Sequence, residues 1–420
     1  MIRMGVESTW LLSGGACSFA LRVALLLGCA FLSGCGHSQV AGGAAVPLVG
    51  KTWSLQCGAQ DSGCITTMLM RGTRLYCAGR ISTNDHLRAK SASPAGLMVS
   101  VDSHSGEILW RTAVGADWLS RPVFSSDSPD DPSMFGLDYD GNLWSLDVST
   151  GHTNWIAPSG LDHVANLRTA LCADGEVLIW GRRLMTNPDV GDDLAAAFDA
   201  EKGRRLWARR VNMSGFGTVI PGLHRLILSE ERNRLIVLDY RTGSLDREVD
   251  IGEGVLGLQR VASDVLVFSL SGIKRLKGAT LKPSWSIPLG LRPRPPVLAN
   301  GFPALQAGNV LVVMVSPTVM LGVDLTDGRV KWHQRLSLPA DKRVFFVLDQ
   351  EVVYGTGKDC ENPEAMVLHR LNTATGEPQG TAFVDPVFAY SVVPTADSSV
   401  IVLRSADKIE KVSLHWVDRN

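Results

Sequence analysis

The stretch "DGNLWSLDVSTGHTNWIA", residues 140–157, joins one tight-turn signal to a strand pattern and then to a second turn. Asp147 is followed by Gly151 and then by Trp155, with three residues in each interval. Asp accepts hydrogen bonds from turn amides and Gly takes a positive φ without strain, so this spacing is typical of a turn between two strands. The apolar runs on either side predict short β-strands.

This Asp-x3-Gly-x3-Trp frame recurs along the chain. Its four full copies consist of Asp102, Gly106 and Trp110; Asp147, Gly151 and Trp155; Asp199, Gly203 and Trp207; and Asp324, Gly328 and Trp332. The partial copies consist of Asp239, Gly243 and Arg247; Asn372, Gly376 and Gly380; and Lys277, Leu281 and Trp285. Successive frames start 38 to 52 residues apart, which is the period of a β-propeller blade. The sequence therefore predicts an all-β propeller in which each Trp fills the wedge between two blades.

The two ends of the repeat region complement each other. "KTWSLQCG", residues 51–58 with Trp53, is typical of the last strand of a unit, and "SSVIVLRSADKIEKVSL", residues 398–414, of a unit without its last strand. Pairing them would close the ring and remove its open edges. We therefore expect eight blades, or seven if residues 277–285 do not belong to a full unit.

The N-terminal region reads as an export signal. "LRVALLLGCAFLSGC", residues 21–35, has a positive charge followed by a short apolar run, which is too short to span a membrane comfortably. Its ending resembles a bacterial lipobox, which implies that Cys35 carries a lipid. We expect a signal peptide over 1–34, a flexible tether over 35–50 and one propeller domain over 51–416. An ordinary signal peptide with a chance Cys is the alternative.

Net charge and cysteine spacing argue against a nucleic-acid partner and against zinc or haem sites. The formal net charge of −1 gives no field that would attract nucleic acid. Removing the leader and Cys35 leaves five cysteines in a compartment that permits disulfides, and Cys57 and Cys64 are close enough to pair. Cys77 and Cys172 lie in apolar runs, which is typical of buried thiols. None of the cysteine spacings indicates a zinc or haem site.

The units resemble the PQQ-type repeat, whose theme "DGxLYALDxxTGxxxW" is matched nearly letter for letter by residues 140–155. The resemblance covers about residues 51–415. It implies an eight-bladed propeller and two kinds of relative: quinoprotein dehydrogenases, and non-enzymatic lipoproteins similar to the outer-membrane protein assembly factor BamB.

The residues favour the second kind. The chain has no vicinal cysteine pair, no G-x-S-x-G motif and no histidines at metal-ligand spacing, so we assign no catalytic, cofactor-binding or metal-binding residue. A calcium site is one interpretation of the acidic stretch at 125–142, but a solvated loop and a turn account for its aspartates better. They are Asp127, Asp130, Asp131, Asp138 and Asp140.

We therefore expect a lipid-anchored, non-enzymatic scaffold that binds envelope proteins or peptides, as a monomer or as a subunit of a larger complex. A dehydrogenase that uses pyrroloquinoline quinone and calcium is one alternative, and a sensor or glycan-binding surface propeller is another. The expected location is the outer membrane, or the cell membrane in a one-membrane host, facing the periplasm or the exterior. The candidate binding loops are residues 81–95, 126–133, 183–193 and 356–365.

Overall fold

The blade strands are built from short apolar runs. In EVLIWG, residues 176–181, the five residues after Glu176 are all buried, as expected for a strand covered on both faces. The computed structural model describes residues 51–418 apart from 57–61, 83–94, 117–121, 126–131, 139, 162–167, 182–192, 213–215, 231–232, 270, 290–303, 338–339, 357–365, 385–391 and 406–407.

Within these ranges the strands form eight sheets, which we call blades I to VIII. Blades I to IV contain β2 (Ser62–Arg71), β3 (Arg74–Ser82), β4 (Ala95–Asp102) and β5 (Ile108–Ala116); β6 (Val123–Phe124), β7 (Ser133–Leu137), β8 (Asn142–Asp147) and β9 (Thr153–Pro158); β10 (Arg168–Ala173), β11 (Glu176–Gly181), β12 (Asp193–Asp199) and β13 (Arg205–Val211); and β14 (Gly217–Ile220), β15 (Arg225–Glu230), β16 (Arg234–Asp239) and β17 (Leu245–Asp250).

Blades V to VIII continue the same meander. They contain β18 (Val255–Val261), β19 (Asp264–Ser269), β20 (Gly272–Leu276) and β21 (Pro283–Pro288); β22 (Ala304–Ala307), β23 (Val310–Ser316), β24 (Val319–Asp324) and β25 (Val330–Arg335); β26 (Ala340–Leu348), β27 (Glu351–Thr356), β28 (Met366–Asn372), β29 (Pro378–Val384) and β33 (Val417–Asp418); and β30 (Val392–Pro394), β31 (Ser399–Ser405), β32 (Lys408–Ser413) and β1 (Lys51–Gln56).

The first strands of neighbouring blades contact one another, for example β10 with β6, β14 with β18 and β2 with β30. The first strand of each blade therefore lies nearest the ring axis, and the fourth strand forms the rim. A 3-10 turn, Pro221–Leu223, is the helical element of the described ranges, which hold no helix with the length and hydropathy to cross a membrane.

The ring closes through its N-terminal strand, and the prediction of eight blades is confirmed. β1 pairs antiparallel with β32, with Trp53 opposite Lys411 and Leu55 opposite Ile409. Trp53 and Leu55 also pack against buried side chains of blade I such as Ile65. The N-terminal strand thus completes blade VIII and removes the open edge that β32 would present.

The apolar core is divided among the blade junctions. Eight clusters of buried side chains are present, and each one joins two neighbouring blades. Between blades III and IV, for example, Leu178 and Ala197 pack with Leu228 and Leu238, all four at 0% exposure. Each blade therefore buries apolar side chains against both of its neighbours.

At most junctions the Asp–Gly turn of one blade packs against the Trp indole of the preceding blade. The Asp147 carboxylate accepts hydrogen bonds from the backbone N–H of Ser149 and Thr150 at 2.9 and 2.8 Å, while Gly151 takes a φ of 72°. Trp110 of the preceding blade lies against Gly151, and its indole N–H donates to the Val148 carbonyl at 2.9 Å. The same Trp–Gly contact occurs in the pairs Trp53–Gly106, Trp110–Gly151, Trp155–Gly203, Trp207–Gly243, Trp285–Gly328 and Trp332–Gly376.

Two junctions use other residues. Between blades IV and V, Arg247 stands at the Trp position and Leu281 at the Gly position, where it is buried with a φ of 56°. Arg225 crosses this junction instead, because its Nη1 donates to the carbonyls of Gly278 and Ala279 in the blade V turn. The second exception, between blades VII and VIII, involves the C-terminal tail and is described below.

Candidate binding site at the junction of blades III and IV

The frame residues predicted from sequence lie in turns and wedges distributed around the ring, and they do not converge on one site. Cys35 and the predicted leader and tether lie outside the described residues, and so do Cys57 and the side chains of Cys64 and Cys172. The four candidate binding loops also fall mostly outside the described residues. Cys77 is buried between blades VIII and I.

The acidic stretch of blade II holds a turn carboxylate. Asp138 is fully buried and accepts hydrogen bonds from the Trp144 indole N–H at 2.8 Å and the Asn142 backbone N–H at 2.7 Å. Asp140 is exposed, and Asp127, Asp130 and Asp131 lie outside the described residues. Among the residues that the structure describes, no group of three or more His, Cys, Asp or Glu side chains could hold a metal ion.

One junction brings titratable side chains of two blades together. Asp174 lies in the tight turn between β10 and β11 of blade III, where it has a φ of 50°. In blade IV, His224 follows the Pro221–Leu223 turn, and Tyr240 follows Asp239 of the frame. The residues after the frame's first position elsewhere are Ser103, Val148, Ala200, Gly278, Leu325 and Thr373. Tyr240 is thus the one ionisable side chain at this position, and it distinguishes this junction from the others.

A shared carboxylate oxygen organises the cluster. The Tyr240 hydroxyl donates to Asp174 Oδ2 at 2.5 Å, and His224 Nδ1 lies 3.3 Å from the same oxygen. Arg241 Nη2 approaches it at 3.4 Å from the exposed side. His224 Nδ1 is also 3.2 Å from the Tyr240 oxygen, so the three side chains are in mutual contact across the junction.

The electrostatics fix the protonation of two members. The hydrogen bond from Tyr240 is the largest cause that lowers the pKa of Asp174, and the positive charge of Arg241 acts in the same direction. Burial raises the pKa of Tyr240, and the Asp174 carboxylate raises it further. Near neutral pH, Asp174 is therefore ionised and Tyr240 is a neutral phenol.

The surroundings of the neighbouring Glu176 disfavour the ionised form of its carboxyl group. Burial raises the pKa of Glu176, and the nearby carboxylates of Asp174 and Asp239 act in the same direction, while Arg241 lowers it. Glu176 Oε2 is buried and has no hydrogen-bond partner among the described residues. The junction thus has an excess of acceptors over donors.

A cavity of about 370 Å³ opens beside His224. It is lined by Leu223, His224, Arg225, Asp239, Ser244, Leu245 and Asp246. Arg225 is held by Asp246 at 3.0 Å, so much of its charge is neutralised within the wall. The remaining lining offers carboxylate and hydroxyl oxygens beside two leucines, and Leu245 is 41% exposed. This wall suits hydrogen-bond donors with an aliphatic part, such as the side chains of a partner protein.

The three side chains of the cluster engage one another directly. The side-chain partners of His224 within the cluster are Asp174 and Tyr240, and burial together with the Asp174 carboxylate raises the pKa of the Tyr240 hydroxyl. The geometry is that of a rigid polar surface suited to binding. Sequence reasoning did not identify these residues, although the Tyr in "LDYRTG" was a visible departure from the other frames.

Several solved structures share the propeller fold of this chain. BamB from Moraxella catarrhalis has a TM-score of 0.57 at 11% sequence identity, covering 87% of this chain and 98% of that one. Sqt1 from Saccharomyces cerevisiae has a TM-score of 0.59 at 10% identity, covering 88% and 100%. The quinohemoprotein alcohol dehydrogenase of Comamonas testosteroni has a TM-score of 0.54 at 12% identity, covering 87% and 76%. At these identities the likeness shows the fold alone.

Comparison of the sequence with protein families identifies one family. No curated protein matches the sequence significantly. The family model described as "Outer membrane protein assembly factor BamB" matches residues 66–187 and 191–349, which run from β2 to the turn after β26 and make up more than half of the chain. The resemblance read from the frame residues is thereby confirmed. The chain belongs to the BamB-like family of PQQ-repeat propellers.

Proposed function

We propose that the protein is a non-enzymatic scaffold of the bacterial envelope, anchored through a lipid on Cys35, that binds other proteins. The observation that carries the proposal is the match to the BamB family model across residues 66–187 and 191–349. The description of that family concerns the assembly of outer membrane proteins. Placement in the outer membrane, or in the cell membrane of a one-membrane host, belongs to the same proposal.

The cluster at blades III and IV supports a binding role. Asp174, His224 and Tyr240 are fixed by one another and by the frame turn, so a partner would meet a surface that is already ordered. Next to this cluster, the cavity combines polar oxygens with exposed Leu245. We assign this surface as the protein-binding face.

Site-specific photo-crosslinking in intact cells tests the assignment. A photoreactive residue at Leu245, which is 41% exposed, should capture a protein partner. Val330 in blade VI provides the matched control, because it occupies the same frame position and is 46% exposed. Capture of a partner from Leu245 and not from Val330 supports the proposal, and equal or no capture contradicts the assignment of this face.

The alternatives are tested with purified protein. Dehydrogenases of the same fold use a quinone, so saturable binding of pyrroloquinoline quinone with calcium, together with dye reduction by alcohols or sugars, would contradict the scaffold proposal. A specific small ligand or glycan, combined with no protein partner in cells, would favour a sensor or glycan-binding role instead.

A further inference from the structure

The C-terminal tail leaves blade VIII and attaches to the rim of blade VII. In the other blades the chain runs from the third strand through a turn into the fourth strand, but β1 fills the fourth position of blade VIII. After β32 the tail therefore crosses to β29, where Val417 pairs with Thr381 and Asp418 with Gly380. Among the described strands, β29 is the one fourth strand that carries a further strand on its outer edge.

The tail also supplies a missing indole. Gly380 occupies the Trp position of the blade VII frame and lies opposite Arg370 of β28. Trp416 packs against the apolar cluster between blades VII and VIII, and the Arg370 guanidinium lies over its ring at 5.0 Å. Glu351 holds that guanidinium at 3.4 Å. Blade VII thus holds an aromatic ring against the Arg370 guanidinium, directly beside the outer edge of β29.

The tail occupies this edge with few contacts. β33 is two residues long and makes two residue pairs, whereas β1 spans six residues in its own sheet. Val417 is 43% exposed although it lies within the strand. Short elements with little buried apolar surface open locally at a low free energy, far below that of global unfolding. The tail is therefore an element that another segment can displace without unfolding the rest of blade VII.

We propose that the outer edge of β29, together with the Arg370 guanidinium, is a docking site for an extended segment of a partner protein that carries an aromatic side chain. The tail itself defines the chemistry of that segment: backbone pairing to Gly380 and Thr381, with an indole placed over Arg370. In the isolated chain the tail covers the site. The site lies at a different blade from the cluster of Asp174, His224 and Tyr240, so either proposal can fail without the other.

A labelled peptide of residues 414–420, LHWVDRN, is the probe, and its binding is measured by fluorescence polarisation. The full-length double variant Trp416→Ala, Val417→Pro releases the tail, because Pro cannot donate to the ladder and Ala leaves the Arg370 guanidinium without a ring. We expect this variant to bind the peptide at least tenfold more tightly than the unaltered protein. A peptide with Ala in place of Trp416 should bind the double variant at least tenfold more weakly than the unaltered peptide does. A control peptide with His415→Ala should bind as tightly as the unaltered peptide, because His415 is exposed.

Equal binding by the unaltered protein and the double variant, equal binding of the two peptides, or no binding by a folded double variant would overturn the proposal. Amide hydrogen exchange of the unaltered protein gives a second readout that does not depend on the folding of the variant. The amides of Val417 and Asp418 should exchange at least a hundredfold faster than those of β28. Exchange as slow as that of β28 would also overturn it, because the tail would then open only with the whole blade.

Discussion

Leu281 and Arg247 together replace the glycine and tryptophan that meet at six of the eight junctions. A turn that faces an indole must carry glycine, because a Cβ there would overlap the ring. Where blade IV provides Arg247 instead, the blade V turn carries Leu281, whose side chain is 3% exposed and packs in the apolar cluster between the two blades. The two frame positions therefore specify each other across a junction, although they belong to different blades.

This relationship predicts the effect of Gly203→Ala. A methyl group at Gly203 would lie 2.6 Å from the Trp155 ring, and the residue has a φ of 67°. Overpacking and backbone strain together should reduce the free energy of unfolding by about 2–4 kcal/mol. Gly72→Ala is the matched control, because its φ is 56° and nothing lies within 4 Å of its added methyl group. Urea denaturation measures both, and equal losses would show that the indole contributes nothing.

The wedge tryptophans should contribute more to the free energy of unfolding than the exposed residues next to them on the same strand. Trp110 is 7% exposed and donates to the Val148 carbonyl, so Trp110→Ala should cost about 3–5 kcal/mol. Leu109, the preceding residue, is 42% exposed, and Leu109→Ala should cost less than about 1 kcal/mol. Thermal unfolding of the two variants compares the positions, and similar melting temperatures would argue against a wedge role.

Closure by β1 predicts a strong effect of a short deletion. Removing residues 51–56 takes away the fourth strand of blade VIII and exposes the edge of β32 and the side of Ile409. We expect a lower melting temperature for the whole ring and a tendency to aggregate. Removing six residues of the predicted tether, 40–45, serves as the control and should leave melting unchanged. Unaltered melting after both deletions would mean that closure does not depend on β1.

An ion pair in blade VIII, with a buried Lys411 and a partly exposed Asp397, predicts a pH dependence. Lys411 is 3% exposed and its Nζ lies 2.6 Å from Asp397 Oδ2, and this hydrogen bond is the main cause that lowers the pKa of Asp397 from 3.8. Because the folded pKa lies below the unfolded one, the pair stabilises the fold above about pH 4 and loses that effect as the pH falls further.

Asp397→Asn should therefore cost roughly 2 kcal/mol at pH 7, about half the loss expected for a fully buried pair because Asp397 is 45% exposed. The loss should be smaller at pH 2.5, which lies between the unfolded pKa of Asp397 and its lower folded pKa. Urea denaturation at the two pH values provides the comparison, with the exposed Asp140→Asn as control. An equal loss at both pH values would exclude a contribution from the charge of Asp397.

The proposed anchor has a direct test. Cys35→Ser removes the thiol that would receive the lipid, so the variant should move from the membrane fraction to the soluble fraction of fractionated cells. Cys29→Ser, six residues earlier in the predicted leader, should leave fractionation unchanged. Retention of the Cys35→Ser variant in membranes would refute lipidation at this position.

The fold could be predicted because the residues that identify a blade also determine its geometry. Asp147, Gly151 and Trp155 fix a turn, a positive φ and an inter-blade ring, and each of these requirements restricts the residue type. Eight blades and their closure follow from counting such frames and the two incomplete ends.

The candidate sites were less predictable because they depend on residues that no frame contains. Asp174 and Tyr240 are 66 residues apart and meet through turns of different blades. Trp416 lies outside every frame, and β33 extends past residue 416, where the sequence placed the end of the domain. The spacing of residues within a repeat predicts contacts inside one blade. The contacts of these sites form between different blades, or between the tail and blade VII.

The pairing of β1 with β32 also sets the order of events during folding. Thr52 and Ser413, whose hydroxyl oxygens lie 3.2 Å apart, are separated by 361 residues. During synthesis the first strand therefore waits without its partner until almost the entire polypeptide has emerged. Contacts of such long sequence separation form slowly, and the waiting strand edge is exposed to other molecules throughout. Ring closure should consequently be the slow step of maturation and the stage at which a chaperone has most effect.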